Sequence, residues 1–465
     1  MTSSLPRPSS ACAPLALSAR VAGALALGLC LVGALGVTTP ASAKPKPKTH
    51  QGQYDLGILG FNDGDPFRLK GAEAEAVLLD PDAQVYLFQT NDWMAKVQRG
   101  AWVKVSDVLG RFPERAPNEL LKVYKLDLSS DRAPEVVIVP TAILGEQQIR
   151  CAPSILRVGS DKMTPLWAAT TLPGDRYRVV DIRDLDNDLD PEVLLGGEGG
   201  QAGYYQFMEL IALGKDGWVA LDVPHVESLH FVDLDRDDKI EVVVRERFGR
   251  KGPAYQWTYI DHLYRWTGQK FEPADAAFPR YHDEQTLPTL IGDLIDNHDA
   301  RLPILEEKLV AMQKVRDITA QWTNAPRGFH QKKVQALGLV QKRQMKGAKA
   351  KLEALDKAFP YDAQVLLGLA QAREGLGESE GVLDAALRAV AVEPKNREAW
   401  WWTGVGFAAV QERSSAVASL HLIVRLTGSR DEGTAFLKAR RTMPGMDSEL
   451  QSIIDQALSL AAKDD

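Results

Sequence analysis

Three short stretches of the chain place acidic side chains at alternating positions directly before an apolar run. They read DLSSDRAPEVV at 127–137, DLDNDLDPEVL at 184–194 and DLDRDDKIEVV at 233–243. Acids this close repel one another, so such a loop costs stability unless a cation lies among them. Ca²⁺ takes about six to eight oxygen ligands, and linear loops supply them from positions 1, 3 and 5, a carbonyl at 7 and a later carboxylate. The spacing therefore predicts cation binding.

We name these stretches loop 1 (127–135), loop 2 (184–192) and loop 3 (233–241). The alternative to cation binding is that the acids only cap backbone amides in a β-turn. The candidate ligands are Asp127, Ser129, Asp131 and Glu135 with the Ala133 carbonyl in loop 1, Asp184, Asp186, Asp188, Asp190 and Glu192 in loop 2, and Asp233, Asp235, Asp237 and Glu241 with the Lys239 carbonyl in loop 3.

The three loops recur with a period near 50 residues, since they start at 127, 184 and 233. Such a period predicts a repeat whose unit is a small antiparallel sheet. A second landmark follows each loop in the same order, a hairpin-like stretch with a Gly-containing turn. These stretches are 154–163, 209–218 and 262–271, and VYLFQTNDWMAKV (85–97) resembles the hairpin of an earlier unit whose degenerate loop is FNDGDPF (61–67).

The loops resemble the FG-GAP/VCBS repeats of integrin-α-like β-propellers, which read D-x-D-x-D-G-x-x-(D/E) before a hydrophobic strand. The resemblance covers about residues 55–275. It implies calcium-binding loops in an extracellular β-propeller used for adhesion or ligand binding, with about four or five blades in this length. The sixth loop position is usually Gly, which suits a left-handed backbone. Here it is Arg132, Leu189 or Asp238, a departure that bears on calcium affinity.

The N-terminus has the features of a secretory signal peptide. Arg20 precedes an apolar stretch at 21–37, and Ala41-Ser42-Ala43 is a small-x-small cleavage site. The alternative is a membrane anchor, but about 17 apolar residues are short for a span. We therefore expect a signal peptide at 1–43, a Pro/Lys linker at 44–54, export to the periplasm or the outside of the cell, and no membrane span after cleavage.

The net charge bears on the class of partner, and the cysteine content bears on disulfide formation. The chain has 55 basic and 62 acidic residues; loss of Arg7 and Arg20 with the signal leaves 55 − 2 = 53 basic residues and a net charge of about −9. This disfavours nucleic acid as a partner. Only Cys151 lies beyond the signal peptide, so no intrachain disulfide can form, and Cys151 is predicted to be a buried structural thiol rather than a nucleophile.

From about residue 285 Ala, Leu, Lys and Glu dominate, and the pattern becomes helical. Pro360 and Pro394 stand 34 residues apart, the tetratricopeptide period. The stretch 330–428 resembles tetratricopeptide (TPR) repeats, which implies a groove for a peptide or protein partner; the alternative is a helical bundle that braces the β region. The residues in the TPR register are Ala348, Leu352, Leu355, Leu366, Leu369, Ala370, Ala386, Ala389, Trp400, Thr403, Gly404, Phe407, Ala416 and Leu420.

No familiar catalytic motif occurs in the sequence, such as G-x-S-x-G, H-E-x-x-H or a P-loop. Acid pairs for glycoside hydrolysis are available, but a catalytic pair is needed once and these loops occur in triplicate. We therefore expect a multidomain, non-enzymatic binding or scaffold protein: all-β propeller-like repeats at 55–280, a helical connector at 281–328, an all-α TPR-like solenoid at 329–428 and capping helices at 429–465. The alternative is an extracytoplasmic hydrolase or carbohydrate-active enzyme. The sequence does not define the oligomeric state.

Overall fold

The structure is a computed structural model that describes residues 53–55, 68–89, 100–129, 133–140, 149–169, 176–199, 205–224, 226–319 and 324–463. The chain divides into two compact units. The β unit comprises His50–His282 with Ala300–Asn324, and the helical unit includes Asp283–Asp299 and Ala325–Asp465. The predicted signal peptide, the degenerate loop 61–67, Asp131 and Arg132 lie outside the described residues.

The β unit consists mainly of short antiparallel strands. Their bounds are β1 Gln53–Asp55, β2 Gln84–Gln89, β3 Gly100–Lys104, β4 Leu121–Leu126, β5 Glu135–Pro140, β6 Ile149–Ala152, β7 Ser154–Val158, β8 Met163–Ala168, β9 Arg176–Arg183, β10 Glu192–Gly199, β11 Tyr205–Gly214, β12 Gly217–Pro224, β13 Val226–Val232, β14 Glu241–Gly249, β15 Thr258–Trp266 and β16 Phe271–Pro273.

These strands form four sheets in the described part of the chain. In strand order they are sheet I (β3-β2-β6), sheet II (β4-β5-β7-β8), sheet III (β9-β10-β11-β12) and sheet IV (β1-β13-β14-β15-β16). The predicted hairpins appear as β7-β8, β11-β12 and β15-β16. In sheet IV, Gln53 and Tyr54 pair with His230 and Leu229, so the end of the predicted linker 44–54 is a strand.

Successive sheets pack face to face through apolar side chains. Strand β5 is buried on both faces, and such strands read as continuous hydrophobic runs. Val136 packs in the cluster between sheets I and II, and Val137 packs with Val193 between sheets II and III. Leu194 packs with Val242 between sheets III and IV. The clusters therefore join the sheets in chain order.

Sheet IV buries its other face against the segment that follows it. Val243 and Leu263 pack there with Ala274, Phe278 and Tyr281. Among the described residues the sheets form this antiparallel stack, and no closed propeller is found. The expectation of an all-β repeat region is confirmed at the level of four antiparallel sheets.

Helices occur in both units. Their bounds are α1 Gly71–Leu78, α2 Val105–Leu109, α3 Pro117–Leu120, α4 Pro279–Tyr281, α5 Leu287–Asp296, α6 Leu302–Thr319, α7 Phe329–Gln341, α8 Met345–Ala358, α9 Ala363–Glu374, α10 Ser379–Val392, α11 Arg397–Ala409, α12 Arg413–Leu426, α13 Arg430–Arg441 and α14 Ser448–Ala461. Helix α6 belongs to the β unit, where the buried Lys308 donates from Nζ to the Gln256 carbonyl at 3.0 Å. None of the described helices is long and apolar enough to span a membrane.

The helical unit repeats every 34 residues. Helices α7, α9 and α11 start at 329, 363 and 397, and α8, α10 and α12 start at 345, 379 and 413. Each repeat is a pair of helices, and N-caps fix where α9 and α11 begin: Asp362 accepts from Val365 N at 3.0 Å and Asn396 from Glu398 N at 2.9 Å. The predicted TPR-like helical region is confirmed, and α13 and α14 follow it.

The residues assigned to the TPR register are buried. The tryptophan triplet 400–402 places its three rings in different surroundings. Trp400 is fully buried, Trp401 packs against Phe436 of α13, and Trp402 packs on the apolar cluster of the preceding repeats.

Candidate cation-binding loops

All three acidic loops occupy the same place in their sheets. Loop 1 joins β4 to β5, loop 2 joins β9 to β10, and loop 3 joins β13 to β14, so each connects the first two strands of a four-stranded meander. The terminal glutamate of each loop is the first residue of the second strand and is buried. The predicted repeat therefore places its acids at equivalent positions.

Each buried glutamate makes the same hydrogen bond across its loop. Leu128 N donates to Glu135 Oε2 at 2.9 Å in loop 1. The equivalent donors are Leu185 N to Glu192 at 2.8 Å in loop 2 and Leu234 N to Glu241 at 2.8 Å in loop 3. These glutamates fix the start of the loop to the start of the second strand, so their primary role in the structure is to shape the turn.

Loop 2 gathers three carboxylates around one point. Asp184, Asp186 and Asp188 each present an oxygen, and these oxygens lie within 4.8 Å of one another. Leu189 N donates to Asp184 Oδ2 at 3.1 Å and Asp190 N donates to Asp188 Oδ1 at 2.8 Å. These acids therefore cap backbone amides of the loop, as the β-turn alternative predicts. Their carboxylates still lie close to one another.

Two of these oxygens fit a hard cation. Asp184 Oδ1 and Asp186 Oδ1 are buried and have no hydrogen-bond donor in the described residues. A buried oxygen without a partner costs free energy, and a metal ion removes that cost. Burial, followed by the repulsion of Asp188 and Asp184, raises the pKa of Asp186. Burial also raises the pKa of Glu192 to about 8. The donor set of loop 2 matches Ca²⁺ in charge and ligand type.

The backbone of the turn is left-handed at two positions in both loops. Asn187 and Leu189 have φ of 61° and 78°, and Arg236 and Asp238 have φ of 63° and 65°. Leu189 and Asp238 occupy the sixth position, where the FG-GAP pattern has Gly. The turn is therefore left-handed at the sixth position although neither residue is glycine, and Leu189 is strained in it.

Loop 3 also gathers three carboxylates, those of Asp233, Asp235 and Asp237, within 4.8 Å of one another. Asp233 accepts from the amides of Arg236 at 2.7 Å, Asp237 at 3.2 Å and Asp238 at 3.2 Å. Both carboxylate oxygens of Asp233 are used in these bonds, in contrast to Asp184 of loop 2.

A cation from the protein already lies among the loop 3 acids. Arg265 Nη2 lies 2.7 Å from Asp235 Oδ2 and also contacts Glu241, to which Nε donates at 2.7 Å. Its Nη1 is 3.8 Å from Asp237. The hydrogen bond from Arg265 lowers the pKa of Asp235. Loop 3 therefore has an internal counter-ion.

Loop 1 is the poorest match. Ser129 Oγ donates to Glu135 Oε1 at 3.0 Å, and Arg157 Nη2 lies 3.3 Å from the same oxygen. No cluster of three candidate metal-ligating groups forms here among the described residues. Asp127 follows β4. Asp131, the remaining side-chain candidate of loop 1, lies outside the described residues.

Among the described residues, the three-aspartate cluster of loop 2 does not include the carboxylate of Asp190, the seventh-position residue. Asp190 and Lys239 follow the turn, and Lys239 N donates to Asp237 Oδ1 at 2.9 Å. Loops 2 and 3 contact each other at this end, where Ile240 N donates to the Leu185 carbonyl at 2.8 Å and the Asn187 side chain donates to the Asp238 carbonyl. Sequence reasoning missed Arg157 and Arg265, because cross-strand register is needed to place them beside the loops.

Cys151 is buried, as predicted, and burial raises its pKa to about 12. A thiol in that environment stays protonated at neutral pH, so a nucleophilic role is disfavoured.

No protein-family model matches the chain, and no curated protein sequence is similar to it. Among solved structures, the TPR2AB-domain:pHSP90 complex of yeast Sti1 shows 18% sequence identity with a TM-score of 0.24. The match covers 41% of this chain and 69% of that chain.

Proposed function

We propose that this chain is an exported, non-enzymatic scaffold in which a calcium ion stabilises the β unit and the helical unit holds a protein partner. The observation that supports the calcium part most directly is a pair of buried oxygens, one each from Asp184 and Asp186, in the carboxylate cluster of loop 2. Neither oxygen has a hydrogen-bond donor among the described residues. In this proposal the β unit is a propeller-like array of FG-GAP-type sheets.

Asp184, Asp186 and Asp188 would hold the ion, which would supply positive charge among acids that otherwise repel one another. Other residues of the chain hold the loop in place through hydrogen bonds. Glu192 fixes the amide of Leu185 and thereby the first position of the loop. The contact between Ile240 N and the Leu185 carbonyl carries that restraint to loop 3 and sheet IV.

Thermal unfolding in chelator and in calcium tests this part. A melting temperature that rises in calcium supports the proposed site, and one that is the same in chelator and in calcium contradicts it. Export is tested separately by sequencing the N-terminus of the secreted or periplasmic protein, which the proposal places at Lys44. A protein that keeps residues 1–43 in the mature form would contradict export through a cleaved signal.

The partner part rests on the 34-residue repeat of helices α7 to α12. Stacked helix pairs of this kind present one continuous face built by the first helix of each pair, and extended binding surfaces arise in this way. The net negative charge disfavours nucleic acid as the partner. A peptide or protein is therefore the class of partner that we propose.

Site-specific photo-crosslinking in cells tests this assignment. Gln364 and Gln371 are exposed on α9, a first helix, and Lys351 and Glu380 are exposed on α8 and α10, which are second helices. We expect a crosslinked protein from the α9 positions and none from the two control positions. Equal crosslinking at all four positions, or none at any, would contradict a partner held by the first helices.

A further inference from the structure

We propose that Arg265 is a tethered cation that replaces a metal ion in loop 3, so that the β unit combines one metal-dependent loop with loops neutralised by its own arginines. This inference rests on the proposed calcium site of loop 2. It concerns which loops take the ion and which do not.

The strand register supports the assignment. Arg265 on β15 is the cross-strand partner of Glu241 on β14. Arg157 on β7 is the cross-strand partner of Glu135 on β5. Two of the three sheets thus place an arginine directly opposite the terminal glutamate of the acidic loop, at the same position of the third strand.

The third sheet breaks this pattern. Val193 pairs with Ile211 across β10 and β11, so continuing the antiparallel register by one residue places Ala212 opposite Glu192. A methyl group carries no charge, and Ala212 is fully buried. On the other side of β10, Arg183 is the partner of Glu192. Arg183 forms an ion pair with Asp181 at 3.2 Å and stacks on the Phe231 ring at 4.8 Å.

The contacts of Arg265 are those that a bound cation would make. Its guanidinium contacts Asp235, Asp237 and Glu241, the acids at the third, fifth and ninth positions of loop 3. A divalent ion at the same acids would meet the guanidinium charge at contact distance, which is strongly unfavourable. In loop 2, by contrast, Asp184 Oδ1 and Asp186 Oδ1 are buried and have no hydrogen-bond donor in the part of the chain that the structure describes. The arginine therefore determines which loop is available to a metal.

Calcium titration by calorimetry, with thermal unfolding in EGTA and in 1 mM Ca²⁺, tests the proposal on the purified chain. We expect the wild type to bind one ion. Arg265→Gln should lose about 5–10 °C in melting temperature in EGTA, regain most of it in calcium, and bind a second ion. Arg247→Gln is the matched control, since Arg247 lies on the neighbouring strand β14 and stacks on Trp257 at 4.6 Å. It should leave the ion count at one.

The reciprocal variant is Ala212→Arg, which should lower the ion count of loop 2 to zero if the chain folds. The proposal is overturned if Arg265→Gln binds no more ions than the wild type, or if its lost stability does not return in calcium. It is also overturned if the wild type already binds two ions. If the wild type binds none and Arg265→Gln binds one, the calcium site of loop 2 fails while the role of Arg265 stands.

Discussion

Glu209 lies directly opposite Asp222 across β11 and β12, so two acids face each other in the interior of the β unit. Glu209 is almost completely buried, and neither of its carboxyl oxygens has a hydrogen-bond donor in the described part of the chain. Burial first, and the neighbouring Asp222 second, raise the pKa of Glu209 well above its usual value of 4.5. The pair favours a shared proton, since two buried like charges repel.

This pair predicts a dependence of stability on pH. A carboxyl whose pKa is raised in the folded state stabilises the fold below the unfolded pKa, and this contribution is lost as pH rises toward the folded pKa. We expect Glu209→Gln to raise the free energy of unfolding at pH 8 by about 1–3 kcal/mol and to flatten its fall above pH 4.5. Denaturant unfolding between pH 5 and pH 8 measures both effects. Glu272→Gln, at an exposed position, is the control, and an unchanged pH profile for Glu209→Gln would contradict the prediction.

A second buried acid, Asp275, is predicted to behave in the opposite way. It accepts from Leu263 N at 2.9 Å and His282 Nε2 at 3.0 Å, and His262 Nδ1 is 3.6 Å away. Burial acts to raise the pKa of Asp275, but the hydrogen bonds from His262 and His282 outweigh it and hold the pKa at about 2.

The stabilisation from Asp275 is therefore present above its unfolded pKa, 3.8, and lost as pH falls toward about 2. Asp275→Ala should lower the free energy of unfolding at pH 6 by about 3–5 kcal/mol, because it leaves two imidazoles facing an empty site. Asp275→Asn keeps one acceptor and should cost less. Urea denaturation followed by circular dichroism gives both values, and an equal loss in the two variants would contradict the stabilising role of the acceptor oxygen that Asp275→Asn keeps.

Two glycines in the helices of the helical unit should respond in opposite ways to substitution by alanine. A Cβ on Gly406 in α11 would lie 2.8 Å from Leu383 Cα in α10, a backbone atom that cannot move alone. A Cβ on Gly338 in α7 would meet no atom within 4 Å. Gly406→Ala should cost about 1–3 kcal/mol through overpacking, whereas Gly338→Ala should stabilise by about 0.5–1 kcal/mol through helix propensity. Thermal unfolding of the two variants measures both effects. If Gly406→Ala does not change the stability, helices α10 and α11 do not approach as closely as this distance indicates.

Leu189 gives a prediction about the turn of loop 2. Its φ of 78° is costly for a residue with a branched side chain, and the side chain is 78% exposed, so packing returns little. Leu189→Gly should stabilise the chain by about 0.5–1 kcal/mol and strengthen calcium binding, while Leu189→Ala should leave both nearly unchanged because Ala keeps the strain. Calcium titration and thermal unfolding of the two variants are the measurements. Identical behaviour of Gly and Ala would mean that the backbone is not strained at this position.

Much of the local structure follows from sequence pattern. The acidic loops precede buried strands as expected, since alternation and turn chemistry are encoded within about ten residues. The TPR period likewise places helix starts, because each repeat buries the same positions, such as Leu366 and Trp400. The sixth loop position is a departure from the pattern in residue type, and the structure shows that Leu189 and Asp238 are nevertheless left-handed there.

Long-range pairing is where the sequence is insufficient. Arg265 lies 24 residues after Glu241, and only the β14–β15 register brings them together. The pairing of Gln53 with His230 joins segments far apart in the chain and carries no local signal. The burial of Glu209 opposite Asp222 cannot be predicted from the sequence either. The strand pattern of 205–214 gives no reason to expect two acids on one buried face.

The central claim is that loop 2 is a calcium site, and thermal unfolding of the wild type and Asp186→Ala in EGTA and in 1 mM Ca²⁺ tests it most directly. We predict that calcium raises the melting temperature of the wild type by about 3–10 °C and leaves that of Asp186→Ala unchanged. In EGTA the variant should be at least as stable as the wild type, because it relieves the repulsion among Asp184, Asp186 and Asp188. Asp216→Asn, in the exposed β11–β12 turn, should keep the full calcium shift. A wild-type melting temperature that is the same in chelator and in calcium would contradict the claim.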